Sequence, residues 1–414
     1  MIFRLSLAQK FTAVLVAASF ACAGLAAAQQ KPAAMPGAKS ATTAPKKDEP
    51  QISAPHAILI EAESGSVLFE RSADEMLYPA SLAKLMTAEF VFNEIKQGRV
   101  KLSDEYVVSE NAWRKGGAPS GGSTMYAAIH SRVPVADLIR GMIIQSGNDA
   151  CIVLAEAIAG NEGAFAQKMT QRAREIGLSK SYFSNSTGLH DPSLQVTARE
   201  LGMLARHIIR TYPDLYEIYG EKEFAWNKIR QQNRNPLLGT VDGADGMKTG
   251  FTKEAGYGLV GSAVRNGQRL IVVVNGLKNP NDRADEAKKL LEWGFRTFQS
   301  RVLFAEGQPV GDAKVFGGKN GHVALISEAP VRIMVPKAGG EKLVARIVYN
   351  GPVPAPVQQG QQVATLKVWR NDVLALQLPL KAAHDVEKGN LTQRAFDAAS
   401  EMVINLFRSG AQRL

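Results

Sequence analysis

The chain has 414 residues, 45% of them hydrophobic and 21% charged, too long for one ordinary core and too apolar for a disordered polymer, so two folded domains are expected. Its 49 basic against 39 acidic residues give a net charge of +10, which suits approach to anionic lipid or cell-wall polymer. Nucleic acid is not expected as a partner: no Lys/Arg cluster is interleaved with aromatics and none of the common recognition motifs occurs.

Arg4 and Lys10 precede an apolar run from Phe11 to Leu25 that ends in Ala26-Ala27-Ala28, the pattern of a cleaved export signal over residues 1–28. The run is shorter than the roughly 20 residues a membrane span needs. Phe20-Ala21 ahead of Cys22 is a poor match to a lipidation site, and cleavage leaves Cys151 as a lone cysteine, so the exported fold must stand without an internal disulfide. It also leaves 47 basic residues against 39 acidic, a net +8. Residues 29–50, rich in Ala, Pro, Lys and Thr with no apolar period, read as a flexible tether.

Structure is expected from about Ile52. His56–Ile60 and Gly65–Phe69 flank a Glu63-Ser64-Gly65 turn, which makes a β-hairpin. Pro79 then precedes a helical spacing of apolar residues from Ser81 to Ile95, with further helices over Val135–Ile144, Ala150–Ala159, Ala164–Ile176 and Ala198–Arg210. Strands return at Tyr257–Val264 and Arg269–Val274 around Arg265-Asn266-Gly267, before a helix from about Arg283 to Phe298. Strands at both ends and helices between them predict an α+β domain over 51–299, its terminal strands paired in one antiparallel sheet packed against helices.

Over 300–390 the pattern changes to period-two alternation, in Val331/Ile333/Val335, Leu343/Ala345/Ile347/Tyr349 and Leu374/Leu376/Leu378/Leu380, which predicts a small all-β domain without a catalytic constellation. In 391–414, Leu391, Ala395, Phe396, Ala399, Met402, Val403, Leu406 and Phe407 share one helical face, an amphipathic helix suited to lying in a membrane interface and too polar to span one.

Three motifs carry the chemistry. In Ser81-Leu82-Ala83-Lys84 the amine lies one turn after the hydroxyl on the same helical face, so a neutral Lys84 could take the serine proton. An ordinary lysine is charged near neutral pH; burial and a second cation, for which Lys248 is the candidate, must lower its pKa. Ser146-Gly147-Asn148 ends one apolar helix before the next and turns a hydroxyl and an amide toward a cleft. Lys248-Thr249-Gly250 offers an ammonium and a hydroxyl on a strand, with a glycine that lets a ligand backbone come close. Each motif alone is common; their joint occurrence in this order supplies the inventory of acyl transfer through a serine ester. No Gly-x-Ser-x-Gly elbow, His-Glu-x-x-His or phosphate-binding Gly-x-x-x-x-Gly-Lys competes, and His56, His130, His190, His207, His322 and His384 lack ligand spacing, so neither metal nor cofactor is called for.

Over Tyr78–Thr87, Gln145–Ala150 and Asp245–Gly250 the chain resembles the penicilloyl-serine transferases, and within them the low-molecular-mass penicillin-binding proteins that act as D-alanyl-D-alanine carboxypeptidases. The resemblance runs on through the β domain and the terminal helix. It implies a β-lactamase/transpeptidase-like fold, peptidoglycan stem peptides as substrate, β-lactams as covalent inhibitors, and residence on the periplasmic side of the inner membrane. It further implies Ser81 as nucleophile activated by Lys84, Ser146 as a proton relay to the leaving amine, and Asn148 as holder of the substrate amide. Lys248 and Thr249 would contact the terminal carboxylate and Arg283, in Asp282-Arg-Ala-Asp-Glu-Ala287, would complete that anion site. The backbone N–H groups of Ser81 and Phe251 would form the oxyanion hole. Where many relatives carry His after Lys-Thr-Gly this chain has Phe251, which leaves the backbone donor intact and bears on substrate preference and deacylation rate.

A class A β-lactamase would need Glu-x-x-Leu-Asn, which is absent. A DD-endopeptidase using the same machinery, and a non-catalytic membrane-docked wall-binding protein, are the other readings of the residues.

Overall fold

The computed structural model describes residues 50–398 apart from Glu341, Asn371, Asp372 and Phe396; the expected export segment and all but the last residue of the expected tether lie outside these residues. Strands β1 (His56–Glu61) and β2 (Val67–Arg71) form the expected hairpin, its turn closed by the Glu61 carboxylate, which accepts from Glu63 N at 2.8 Å and Ser64 N at 2.7 Å. A 3₁₀ turn (Ala80–Ala83) then runs directly into α1 (Lys84–Lys96). The other principal helices of this part are α2 (Glu110–Gly116), α3 (Val135–Ile144), α4 (Asn148–Ala159), α5 (Glu162–Glu175) and α6 (Ala198–Thr211). Strands β3 (Ala244–Thr252), β4 (Gly256–Arg265) and β5 (Gln268–Leu277) lead into α7 (Pro280–Thr297).

The helix starts follow side-chain chemistry. Ser109, Asn161, Thr197 and Asn279 each accept from a backbone N–H in the first turn of α2, α5, α6 and α7, and α7 also places Pro280 where no hydrogen-bonded N–H is needed. The start of α1 differs from expectation, because Ser81 and Lys84 are joined by a 3₁₀ turn rather than an α turn. In that tighter geometry side chains three apart eclipse one another, which aligns the hydroxyl and the amine.

The five strands form one antiparallel sheet in the order β2-β1-β5-β4-β3, so the first and last strands of the α+β part do pair, with Ile58 opposite Val273. The continuous apolar runs in β1 and β5 reflect burial on both faces. Ile58, Ile60, Ile271 and Val273 join a core with α1, α3, α4 and α6, while Ala57, Leu59, Leu270, Val272 and Val274 join a second core with Ala287, Leu290 and Leu291 of α7. Helix α1 is buried from Lys84 to Phe92, at the centre of the helical half, which is why it carries so weak an amphipathic pattern.

Beyond α7 come β6 (Phe298–Phe304), β7 (Pro309–Phe316), β8 (His322–Ile326), β9 (Val331–Pro336), β10 (Leu343–Val348), β11 (Gln362–Arg370) and β12 (Val373–Ala382). They form a β6-β9 pair and a larger sheet in which β10-β11-β12-β8-β7 are neighbours. The leucine alternation of β12 holds only in part: the register slips beside Val368/Trp369, so that Leu374 is 40% exposed and Ala375 takes its buried place. Such a bulge shifts alternate side chains to the other face.

Residues 391–395, 397 and 398 are helical; Phe396, Ala399, Met402, Val403, Leu406 and Phe407 of the expected apolar face lie outside the described residues. Among the described residues no helix is long and apolar enough to cross a membrane.

Leu270 is fully buried between the sheet and α7. Leu270→Ala is expected to lower the unfolding free energy by about 2–5 kcal/mol, the range for deleting a core leucine side chain, read as a lower urea midpoint at unchanged slope.

Candidate active site

The three motifs converge beside β3, an edge strand of the central sheet. Lys84 Nζ lies 3.0 Å from Ser81 Oγ, 2.8 Å from Asn148 Oδ1 and 2.5 Å from the carbonyl oxygen of Thr187. Lys248 Nζ lies 2.9 Å from Ser146 Oγ and 3.2 Å from the Thr249 carbonyl. Lys84, Ser146, Asn148, Lys248 and Thr249 are all buried, and Ser81 is partly open to solvent.

Backbone conformation sets these positions. Ala80 and Ser146 hold left-handed φ of 49° and 59°, strained for residues with a Cβ and adjoining or carrying the two hydroxyls. The turn before α4 therefore places its left-handed residue at Ser146, whereas Gly147 has φ of −57°. Gly250 sits against the Ser81 turn so closely that a Cβ there would come 2.9 Å from Pro79 O and 3.2 Å from Leu82 N. This contact brings the edge strand β3 up to the 3₁₀ turn.

Arg283, in the first turn of α7, does not hydrogen-bond Lys248 or Thr249. Its guanidinium lies over the Tyr257 ring at 5.5 Å, and Tyr257 stacks on Phe251 with centroids 4.1 Å apart. Its Nε is buried without a hydrogen-bond partner, a donor left for an anion.

The site thus sets the Ser81–Lys84 pair near a second, buried pair, Ser146–Lys248, beside a glycine-bearing edge strand. Residues 41–279 match the family described as D-alanyl-D-alanine carboxypeptidase, and 298–388 match the C-terminal domain of penicillin-binding protein 5. The chain is 39% identical to the D-alanyl-D-alanine carboxypeptidase DacC of Escherichia coli over 84% of this chain and 88% of that protein. It is 36% identical to the carboxypeptidase DacA of Haemophilus influenzae over 86% of this chain and 91% of the relative. The crystal structure of penicillin binding protein 5 from Haemophilus influenzae superposes with a TM-score of 0.73 at 36% identity, covering 82% of this chain and 99% of that one. The chain belongs to the D-alanyl-D-alanine carboxypeptidase family. It is a serine-type D-Ala-D-Ala carboxypeptidase of the penicillin-binding protein group.

Electrostatics of the carboxypeptidase's site follow from burial. Desolvation lowers the Lys84 pKa from 10.5 to about 8, with the Arg234 guanidinium acting in the same direction and Asp149 and Glu162 opposing. Lys248 is held well below the usual lysine range, first by burial and then by the Lys84 and Arg234 charges. The repulsion between these two buried amines belongs to the pair, and the Arg234 guanidinium presses on both.

Several supports of the carboxypeptidase site carry no motif of their own. The Asp149 carboxylate, fully buried, accepts from Thr124 Oγ1 at 2.6 Å, Met125 N at 3.0 Å and Ala127 N at 3.1 Å, fastening that segment against Ser146-Gly147-Asn148. Arg234 reaches the same segment by donating to Ser123 Oγ at 2.5 Å. The Thr187 carbonyl is presented by a turn in which Asn185 Oδ1 accepts from Thr187 N and Gly188 N. Asn185-Ser186-Thr187-Gly188 was a visible turn signal, but nothing in it names a lysine partner.

Gly188 has φ of +79°, and a Cβ there would fall 1.9 Å from Ala80 O. Gly188→Ala is expected to push the Thr187 carbonyl from Lys84 and slow penicillin acylation at least about tenfold, a misplacement penalty within the range known for catalytic geometry. Stopped-flow acylation beside a thermal melt checks this; an unchanged rate would mean that the turn does not position Lys84.

Proposed function

We propose that Ser81 attacks the carbonyl of the penultimate D-alanine of a peptidoglycan stem pentapeptide, with Lys84 as the base that accepts its proton. The observation that carries this reading is the set of partners around Lys84 Nζ. Asn148 Oδ1 and Thr187 O can only accept, so they take two N–H bonds, and the remaining tetrahedral position faces Ser81 Oγ. In the neutral amine that position is the lone pair.

The oxyanion that forms is met by the backbone N–H groups of Ser81 and Phe251, worth about 3 kcal/mol per donor on general precedent. Ser146, beside Lys248, passes a proton to the departing amine as the C–N bond breaks and D-alanine leaves. Water then releases the acyl chain from Ser81. Asn148 also holds the substrate amide, while Lys248, Thr249 and Arg283 take the terminal carboxylate, whose negative charge favours the protonated form of Lys248. Gly250 admits the substrate backbone to the edge strand. β-Lactams acylate the same serine.

The wider reading assigns 51–299 to the catalytic domain and 300–390 to a small β-rich domain. Residues 1–28 are an export signal and 29–50 a tether, and the enzyme works on the periplasmic side of the inner membrane, held there peripherally by an amphipathic helix over 391–414. The net positive charge and the apolar spacing of that last segment support the membrane assignment.

Fluorescent penicillin is expected to label the native chain and not Ser81→Ala; labelling that persists would refute the nucleophile. Acylation kcat/KM should rise with pH through about 8, since only the neutral amine accepts the serine proton and the titration belongs to the Lys84–Lys248 pair. A flat profile between pH 6 and 9 would remove Lys84 as the base. Deleting residues 391–414 should shift the protein from the membrane to the soluble fraction with activity on soluble peptide kept. Retention on membranes after the deletion would sink the helix assignment.

A further inference from the structure

Thr249 and Phe251 lie two residues apart on β3 and so share a face of the sheet, about 7 Å apart along the strand. That separation equals about two residues of extended chain, which a scissile carbonyl and the residue after it occupy together. Phe251 is 48% exposed at this end of the motif. Its ring is not a loose surface side chain, because it lies on Tyr257, its register partner on β4, at 4.1 Å and 26°. Tyr257 is in turn covered by the Arg283 guanidinium at 5.5 Å. The stacked ring pair and the guanidinium link the edge strand to α7, and much of the Phe251 ring away from Tyr257 is open to solvent. That outer face supplies dispersion and apolar contact but neither a hydrogen-bond donor nor a charge.

We infer that Phe251, backed by Tyr257, is the specificity-determining wall for the leaving residue, favouring a C-terminal D-amino acid with an apolar or aromatic side chain over a polar or anionic one. The inference rests on the proposed reading that the terminal carboxylate lies at Thr249 and Arg283. With that group there and the scissile carbonyl at the Phe251 N–H, the leaving residue spans the gap and its side chain meets the ring. Selection follows because a polar side chain placed against the ring loses water without gaining a partner.

The test measures kcat/KM for release of the last residue from diacetyl-L-Lys-D-Ala-D-Xaa, with Xaa being D-Ala, D-Phe, D-Ser or D-Asp. The D-Phe to D-Ser ratio is the readout, because it does not depend on how much of a variant is folded. In Phe251→Ser, which keeps the backbone N–H, that ratio is expected to fall about fivefold, and in Phe251→Trp to be retained. Tyr257→Leu, which removes the ring behind Phe251, should give an intermediate fall. An unchanged ratio in Phe251→Ser overturns the wall, even if all four substrates slow together. Arg283→Ala tests the underlying reading separately: unchanged KM for D-Ala-D-Ala would dismiss the anion site, whatever the ratio does.

Discussion

The site hangs on one buried nitrogen with three oxygen neighbours drawn from three separate segments. Ser81 Oγ comes from the 3₁₀ turn, Asn148 Oδ1 from the start of α4 and Thr187 O from the loop before α6. An amine taken out of water needs such partners, since an unpaired buried polar group costs more than a hydrogen bond returns. The same partners dictate direction, because two of them cannot donate. Burial therefore does two things at once: it lowers the proton affinity of Lys84 and aims what the lost proton uncovers.

The cost of this arrangement appears in the surrounding backbone. Left-handed φ at Ala80 and Ser146, and the approach of the Gly188 backbone to Ala80, are conformations a relaxed loop would avoid. They persist because the neighbouring elements over-determine them. Asp149 fastens the segment from Thr124 to Ala127 over α4, α1 is buried from Lys84 to Phe92, and β3 abuts the 3₁₀ turn at Gly250. A second lysine in the same buried space adds a further cost, which is expressed as the depressed proton affinity of Lys248.

What the sequence reveals of this site is what residue type and local spacing can carry. Ser81, Lys84, Ser146, Asn148, Lys248 and Thr249 stand out because hydroxyls, amines and an amide at short spacings are chemically distinctive, and the strand-helix-strand order follows from apolar period and caps. The Thr187 carbonyl was not legible, since every residue has one and only tertiary folding selects it. Arg234 carries no sequence signal, because no pattern links it to Ser123, more than a hundred residues earlier in the chain. An α and a 3₁₀ start of α1 are not distinguished by spacing, because both put Ser81 and Lys84 on one side. In β12 the leucine spacing misled at Leu374, where a bulge set by pairing with β11 overrides the local period. Burial and a neighbouring cation predict a lowered Lys84 pKa, but not that Arg234 shares in it, because tertiary folding alone brings that guanidinium near the amine.

The two edges of the central sheet are treated differently, and the difference organises the molecule. At β2, Arg370 of the β-rich part donates to the carbonyls of Val67 at 2.9 Å and Leu68 at 3.3 Å while its guanidinium covers Phe298 at 4.9 Å. Met334 and Phe298 extend the α7 core into the same junction. An exposed strand edge invites pairing with another chain, and here one edge is occupied by the protein itself. The opposite edge, β3, has a sheet neighbour on one side only and carries Lys248, Thr249 and Gly250 beside the serine turn. That edge therefore keeps unshared backbone groups on the strand that also carries the motif residues next to both serine-lysine pairs.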